Sequence, residues 1–162
     1  MNSNKQIFQS VQKQLYLNLH DGYLLLSEPY CSVESDGVVT ATDGALSNFT
    51  MNRSSFCYTI RFLDEYVFKR EMFSLEEAIR KMTSLPADSA GLSKRGRVAP
   101  GMAADLVVLD PDKLSDKSTD DEPRAYPSGI EIVIVNGRLV LNNGQRTEIC
   151  RVDLLLSSYY HK

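Results

Sequence analysis

At 162 residues the chain can bury one hydrophobic core, so one domain is expected, with room for a small second one. A formal net charge of −3 with 24% charged residues gives no electrostatic basis for binding nucleic acid or an anionic membrane surface. No apolar run approaches the roughly 18 residues of a membrane helix, and the polar start Met1–Gln6 leads into no apolar signal segment.

Residues 7 to 26 are apolar. Ile7, Val11 and Leu15 recur every four positions and predict one helical face, interrupted by the turn pair Asp21-Gly22 and stopped by Pro29. Tyr30–Glu34 reads as a short strand that ends at Ser35-Asp36-Gly37. Residues 38 to 52 are punctuated by Thr, Asp-Gly, Ser and Asn, the chemistry of a loop. A helix is expected over Ser55–Arg70, because Phe56, Ile60, Leu63 and Val67 lie on one stripe at spacings of four, three and four. Ser74-Leu75-Glu76-Glu77 has the form of a capping box and opens a second helix with Leu75, Ala78, Ile79 and Met82 on its apolar face. Pro86 is expected to close it.

Leu106-Val107-Val108-Leu109 is a continuous apolar run, the pattern of a strand covered on both faces. Residues 111 to 128 are polar and contain Pro111, Pro123 and Pro127, so a long loop is expected. Ile130–Val135, Asn136-Gly137 and Arg138–Leu141 predict a hairpin, because both central residues of a type I′ turn need positive φ. Asn143-Gly144 marks a further turn, and the end from Val152 to Lys162 carries no assignable pattern. The shift from helical to strand-rich composition suggests a boundary between Gly91 and Gly96. The expected organisation is residues 1–92, residues 93–148 and an unassigned tail, 149–162.

Cys31, Cys57 and Cys150 are odd in number and widely spaced, which excludes a disulfide framework or a zinc ribbon. Reduced thiols in a cytoplasmic protein are the expectation, with Cys31 and Cys57 as small buried hydrophobes. Asp36 follows a strand. A carboxylate there can serve as a general base or a metal ligand, although Asp-Gly after a strand is also a common turn. Pro100–Asp105 lacks the Gly-Lys-Ser/Thr of a phosphate loop.

From Tyr30 to Thr147 the order of parts resembles the amidohydrolase superfamily, and within it the N-acyl-D-amino-acid deacylases (D-aminoacylases). The resemblance rests on Ser35-Asp36-Gly37, on Glu76–Ala87 (Glu-Glu-Ala-Ile-Arg-Lys-Met-Thr-Ser-Leu-Pro-Ala), on Gly96–Pro111 (Gly-Arg-Val-Ala-Pro-Gly-Met-Ala-Ala-Asp-Leu-Val-Val-Leu-Asp-Pro), and on the hairpin around Ile134-Val135-Asn136-Gly137. It implies an α/β fragment: the last strands and helices of a (β/α)8 barrel in residues 1–92, then part of a small β-domain in 93–148. It also implies hydrolysis of an amide C–N bond, with zinc in the complete enzyme and a small N-acyl amino acid as substrate. Asp36 matches the aspartate after the eighth barrel strand, which takes a proton from water and hands it to the leaving amine.

Two departures accompany the resemblance. The family's metal ligands, including a His-x-His near the first barrel strand, have no counterpart before Asp36. The chain has only His20 and His161, in no ligand spacing, so it is expected to bind no metal by itself. Where many relatives carry His-Pro after the strand-eight loop, this chain has Met51-Asn52-Arg53. Arg53 is the candidate contact for a substrate carboxylate, with a solvated loop arginine as the alternative. Asp105 is expected to be structural. The isolated chain is expected to be inactive, and a separate polypeptide carrying the missing barrel strands is a candidate partner. The other readings are a non-catalytic interaction module derived from the β-domain and a self-sufficient small hydrolase with an unfamiliar site.

Overall fold

The computed structural model describes residues 25–35, 37, 42, 47 and 52–147. Most of the helix expected over residues 7–26, the loop around Asp36, and the tail beyond Thr147 lie outside the described residues. The chain falls into two compact units, Met1–Ser32 and Val33–Lys162. In the first, residues 25–27 are helical and Glu28 N–H donates to the Leu25 carbonyl at 3.1 Å, a last turn just before Pro29.

The second unit holds all the regular elements named below. Helix α1, Ser54–Phe62, runs without a break into a seven-residue π-helical stretch, Leu63–Lys69. The predicted stripe is largely what is buried: Ile60, Leu63 and Val67 are in the core, joined by Cys57 and Phe62. Each such aliphatic side chain taken out of water stabilises the fold by roughly 1.5–3 kcal/mol. The wider turn closes with Arg70 N–H donating to the Glu65 carbonyl at 3.1 Å. It lets adjacent Phe62 and Leu63 both face inward, with Phe62 stacked obliquely on Tyr66 and Phe73 at 5.5 and 5.7 Å. Glu71, at φ 51°, then reverses the chain.

Helix α2, Leu75–Met82, begins at the predicted cap, where the Ser74 hydroxyl accepts from Glu77 N–H at 3.2 Å. The Glu77 carboxylate turns to Arg80 instead, at 2.7 and 2.8 Å. Glu76 has its carboxyl held below the ordinary range by its own backbone N–H and by the Ser74 hydroxyl. Pro86 does not end the helix. The break falls at Thr83, and Pro86 becomes the third residue of a new short helix α3, Ser84–Ser89. A proline lacks the N–H that would bond back four residues and its ring clashes there, so continuing α2 through position 86 is excluded; in the first turn of α3 neither defect matters. Lys81 is fully buried, its ammonium 3.6 Å from Glu77 and over the Phe73 ring at 5.8 Å.

Four antiparallel strands follow, in spatial order β1-β2-β3-β4: Leu106–Leu109, Ile130–Val135, Arg138–Asn142 and Gln145–Arg146. Both Asn-Gly pairs make the predicted turns, with φ of 50° and 74° at Asn136-Gly137 and of 48° and 76° at Asn143-Gly144. The expected two-sided cover of β1 is not found: Val107 and Val108 are 56% and 46% exposed. β1 pairs only with β2 among the described residues, so it is an edge strand.

Candidate functional site

Asp36 itself lies outside the described residues, but both its neighbours are placed. Residues 33–35 make no strand pairing among the described residues; Val33 N–H donates instead to the Lys81 carbonyl at the end of α2, at 3.1 Å. The Ser35 hydroxyl accepts from Gly37 N–H at 2.9 Å. A Cβ at Gly37 would stand 2.9 Å from the Cα of Ser55. That distance is too short for any side chain, so the glycine lets the backbone at position 37 lie directly against the first turn of α1.

The start of α1 is built by Asn52, whose side-chain oxygen accepts from Ser54 N–H at 3.0 Å while its carbonyl accepts from Ser55 N–H at 3.1 Å. Arg53 therefore stands at the helix entrance, two residues from the contact with Gly37. It is not a solvated loop residue. Its side chain is 20% exposed, and its guanidinium donates from Nη2 to Asp116 Oδ2 at 2.8 Å and to the Ser118 carbonyl at 2.6 Å, and from Nε to Ser118 Oγ at 3.2 Å.

Those acceptors belong to the segment expected to be a long loop. Residues 111–128 do form a long connection with little regular structure, and it is a strap fastened at several points. A 3-10 turn, Pro111–Lys113, leads to buried Leu114, whose backbone passes so near Gly129 (φ 83°) that a Cβ there would be 2.6 Å from its Cα. Ser115 and Ser128 bridge the two ends. The Asp116 carboxylate accepts from the backbone N–H and hydroxyl of Ser118 at 2.8 and 2.6 Å. Cys57 Sγ donates to the Ala125 carbonyl at 3.1 Å, and Tyr126 meets Phe56 edge to face at 5.4 Å.

The electrostatics follow from that packing. Burial works against the Asp116 carboxylate, but the hydroxyl and backbone of Ser118, the Cys57 thiol and the Arg53 guanidinium outweigh it and leave its pKa below the ordinary value. The Cys57 thiol is pushed up, first by burial and then by Asp116 beside it, which makes it a poor nucleophile. Asp105, expected to be structural, accepts from Asn136 N–H at 2.7 Å and pairs with Arg95, tying the Gly96–Asp105 loop to the hairpin turn. Asp116 and Ser118 escaped notice in the sequence; Asp-Lys-Ser is a side-chain-to-backbone turn pattern that marks a turn without naming its distant partner.

The donors among the described residues do not fit a zinc centre. Among the described residues no group of three or more His, Cys, Asp or Glu side chains could hold a metal, and His20 and His161 lie outside them. No helix among the described residues is long and apolar enough to cross a membrane.

The family described as "Amidohydrolase family" matches residues 31–141. The N-acyl-D-glutamate deacylase of Alcaligenes xylosoxydans xylosoxydans is 49% identical over 77 residues, 48% of this chain and 16% of that protein. The N-acyl-D-aspartate deacylase of the same organism is 44% identical over 81 residues, 50% of this chain and again 16% of the relative. A solved D-aminoacylase, studied for the functional role of its binuclear metal centre, aligns with a TM-score of 0.70 at 32% identity, over 78% of this chain and 25% of its own. The N-acyl-D-glutamate deacylase of Bordetella bronchiseptica, solved with zinc and a phosphonate mimic of the tetrahedral intermediate, aligns with a TM-score of 0.65 at 37% identity, over 73% and 23%. The chain thus spans only a small part of the length of the relatives it matches.

Proposed function

The chain belongs to the amidohydrolase family, and from that membership we propose that it forms the C-terminal part of a metal-dependent hydrolase of amide C–N bonds, with N-acyl-D-amino acids as substrates. The observation that carries this reading is the family match over residues 31–141, which includes Ser35-Asp36-Gly37, joined with identities of 44 to 49% to deacylases of that substrate class. In this proposal residues 1–92 are the end of a (β/α)8 barrel and residues 93–148 part of its β-domain. The remaining barrel strands, on the same or a separate polypeptide, hold the zinc.

Asp36 is the residue assigned to proton transfer. Its carboxylate takes a proton from the attacking water and returns it to the leaving nitrogen, a role that needs a carboxylate held still beside the scissile bond. The residues on either side of it support that role: the Ser35 hydroxyl accepts from Gly37 N–H, and Gly37 lies close against Ser55. Arg53 is the assigned contact for the substrate's carboxylate. Arginine suits the task because its planar fork matches a carboxylate and stays charged at every working pH.

The test is a chimera. Residues 31–141 replace the matching segment of an N-acyl-D-glutamate deacylase. The expected product hydrolyses N-acetyl-D-glutamate and loses about 10²- to 10⁴-fold in kcat with Asp36→Asn. A folded, zinc-loaded chimera without turnover, or one indifferent to Asp36→Asn, overturns the assignment. A second reading, a non-catalytic interaction module, draws on the exposed edge of β1 at Val107 and Val108; a stable self-association lost on blocking that edge would favour it.

A further inference from the structure

We propose that Asp116 and Ser118 are positioning residues for Arg53: they grip one side of its guanidinium so that the other side is presented, pre-oriented, to a ligand carboxylate. The proposal rests on the reading of Arg53 as a substrate contact and deepens it.

A guanidinium carries five N–H donors in a rigid plane. Three of them, on Nε and Nη2, point at the strap, and bonds from these two nitrogens reach Ser118 Oγ, Asp116 Oδ2 and the Ser118 carbonyl. The acceptors are themselves locked. Asp116 Oδ1 receives the Ser118 backbone N–H and hydroxyl, and the Asp116 and Ser118 side chains are almost wholly buried, at 7% for the Asp116 side chain and 3% for Ser118. Three bonds to one short turn define the plane of the fork, where a single ion pair would let it swivel. The outer nitrogen, Nη1, makes no hydrogen bond among the described residues. Asp120 stands 3.7 Å from it, beyond hydrogen-bond range and on a side chain that is 65% exposed.

Asp116 and Asp120 therefore act differently on the same cation. The buried carboxylate sets direction. The exposed one stands where an incoming carboxylate would pair, held by a long, solvent-screened contact that costs little to displace. An arginine already ordered before binding loses less rotamer freedom when the ligand arrives, so its affinity for a carboxylate is higher than that of a free side chain. The strap, remote in sequence from Asp36, would thereby take part in recognition without touching the substrate.

Side-chain ¹⁵N spectroscopy of the full chain tests this. Wild-type Arg53 is expected to show restricted rotation of its guanidinium and slow solvent exchange of Nε–H. Asp116→Asn is expected to speed the rotation of the guanidinium about tenfold or more, since the charge-assisted bond to Nη2 is lost, and Asp116→Glu to restore part of the restraint. Should Asp116→Asn disturb the backbone spectrum of α1, Ser118→Ala provides the second reading, freeing Nε while leaving Nη2 held. N-acetyl-D-glutamate is expected to shift the Nη1 signals, and to do so at lower concentration in Asp120→Asn. Arg53 rotating freely in wild type, or staying equally restrained in Asp116→Asn with the fold intact, overturns the proposal. A fork fixed by Asp116 whose Nη1 signals ignore N-acetyl-D-glutamate supports the positioning and defeats only the substrate role of Arg53.

Discussion

Single residues in this chain act through where the backbone lets them stand. Gly37 matters for the missing Cβ, because Ser55 occupies the space. Asp116 matters because burial and four partners converge on one carboxylate. Its folded pKa lies below the ordinary value, so it adds stability that is present above the unfolded pKa, near 3.9, and is lost as the pH falls through the folded value. Glu77, Asp88 and Asp110 are shifted in the same direction by Arg80, Arg97 and Lys113, so acid destabilisation is collective. Asp116→Asn is therefore expected to be less stable than wild type near neutral pH but to lose less on acidification. Urea midpoints taken from about pH 6 down to about pH 2.5 check it, and parallel curves for the two proteins would count against a paired Asp116. The sequence held every one of these residues, yet it could not pair Arg53 with Asp116 across 63 positions.

At the scale of elements, local chemistry was legible wherever one segment contained both partners. The α2 cap is made as expected from Ser74 to Glu77 N–H, and both Asn-Gly pairs take positive φ. Ser74→Ala is expected to cost about 1 kcal/mol, read as a lowered melting temperature with the unfolding slope unchanged; no change would mean that the exposed cap is replaced by water at no cost. Pro86 was legible as a breaker but not as the start of α3. Breaking one helix three residues before the proline and restarting it satisfies the same local rule as ending it, and packing chose between them. The π-helical stretch, Leu63–Lys69, was not legible either. The stripe predicts which residues turn inward, and a turn of five closes over the same residues as a turn of four once Phe62 and Leu63 are both buried.

For the molecule as a whole, β1 is the clearest departure. An apolar run predicts burial on both faces, whereas Val107 and Val108 are half exposed on a strand that is at the sheet edge among the described residues. Unpaired edges of that kind recruit other strands. Val107→Lys with Val108→Lys is expected to reduce concentration-dependent association, measured by light scattering of the full chain; association unchanged in the double variant would place the contact elsewhere. From the sequence alone came the family, the helix stripe, the cap, the turns and the hairpin, because each depends on residues close together in the chain or on a long run of matching types. The tertiary structure alone decided that residues 111–128 are a fastened strap, that Arg53 is gripped rather than solvated, and that β1 is an edge. Each of those depends on which surfaces meet after folding, and the free energy of burying a pair of groups is invisible until both are brought to the same place.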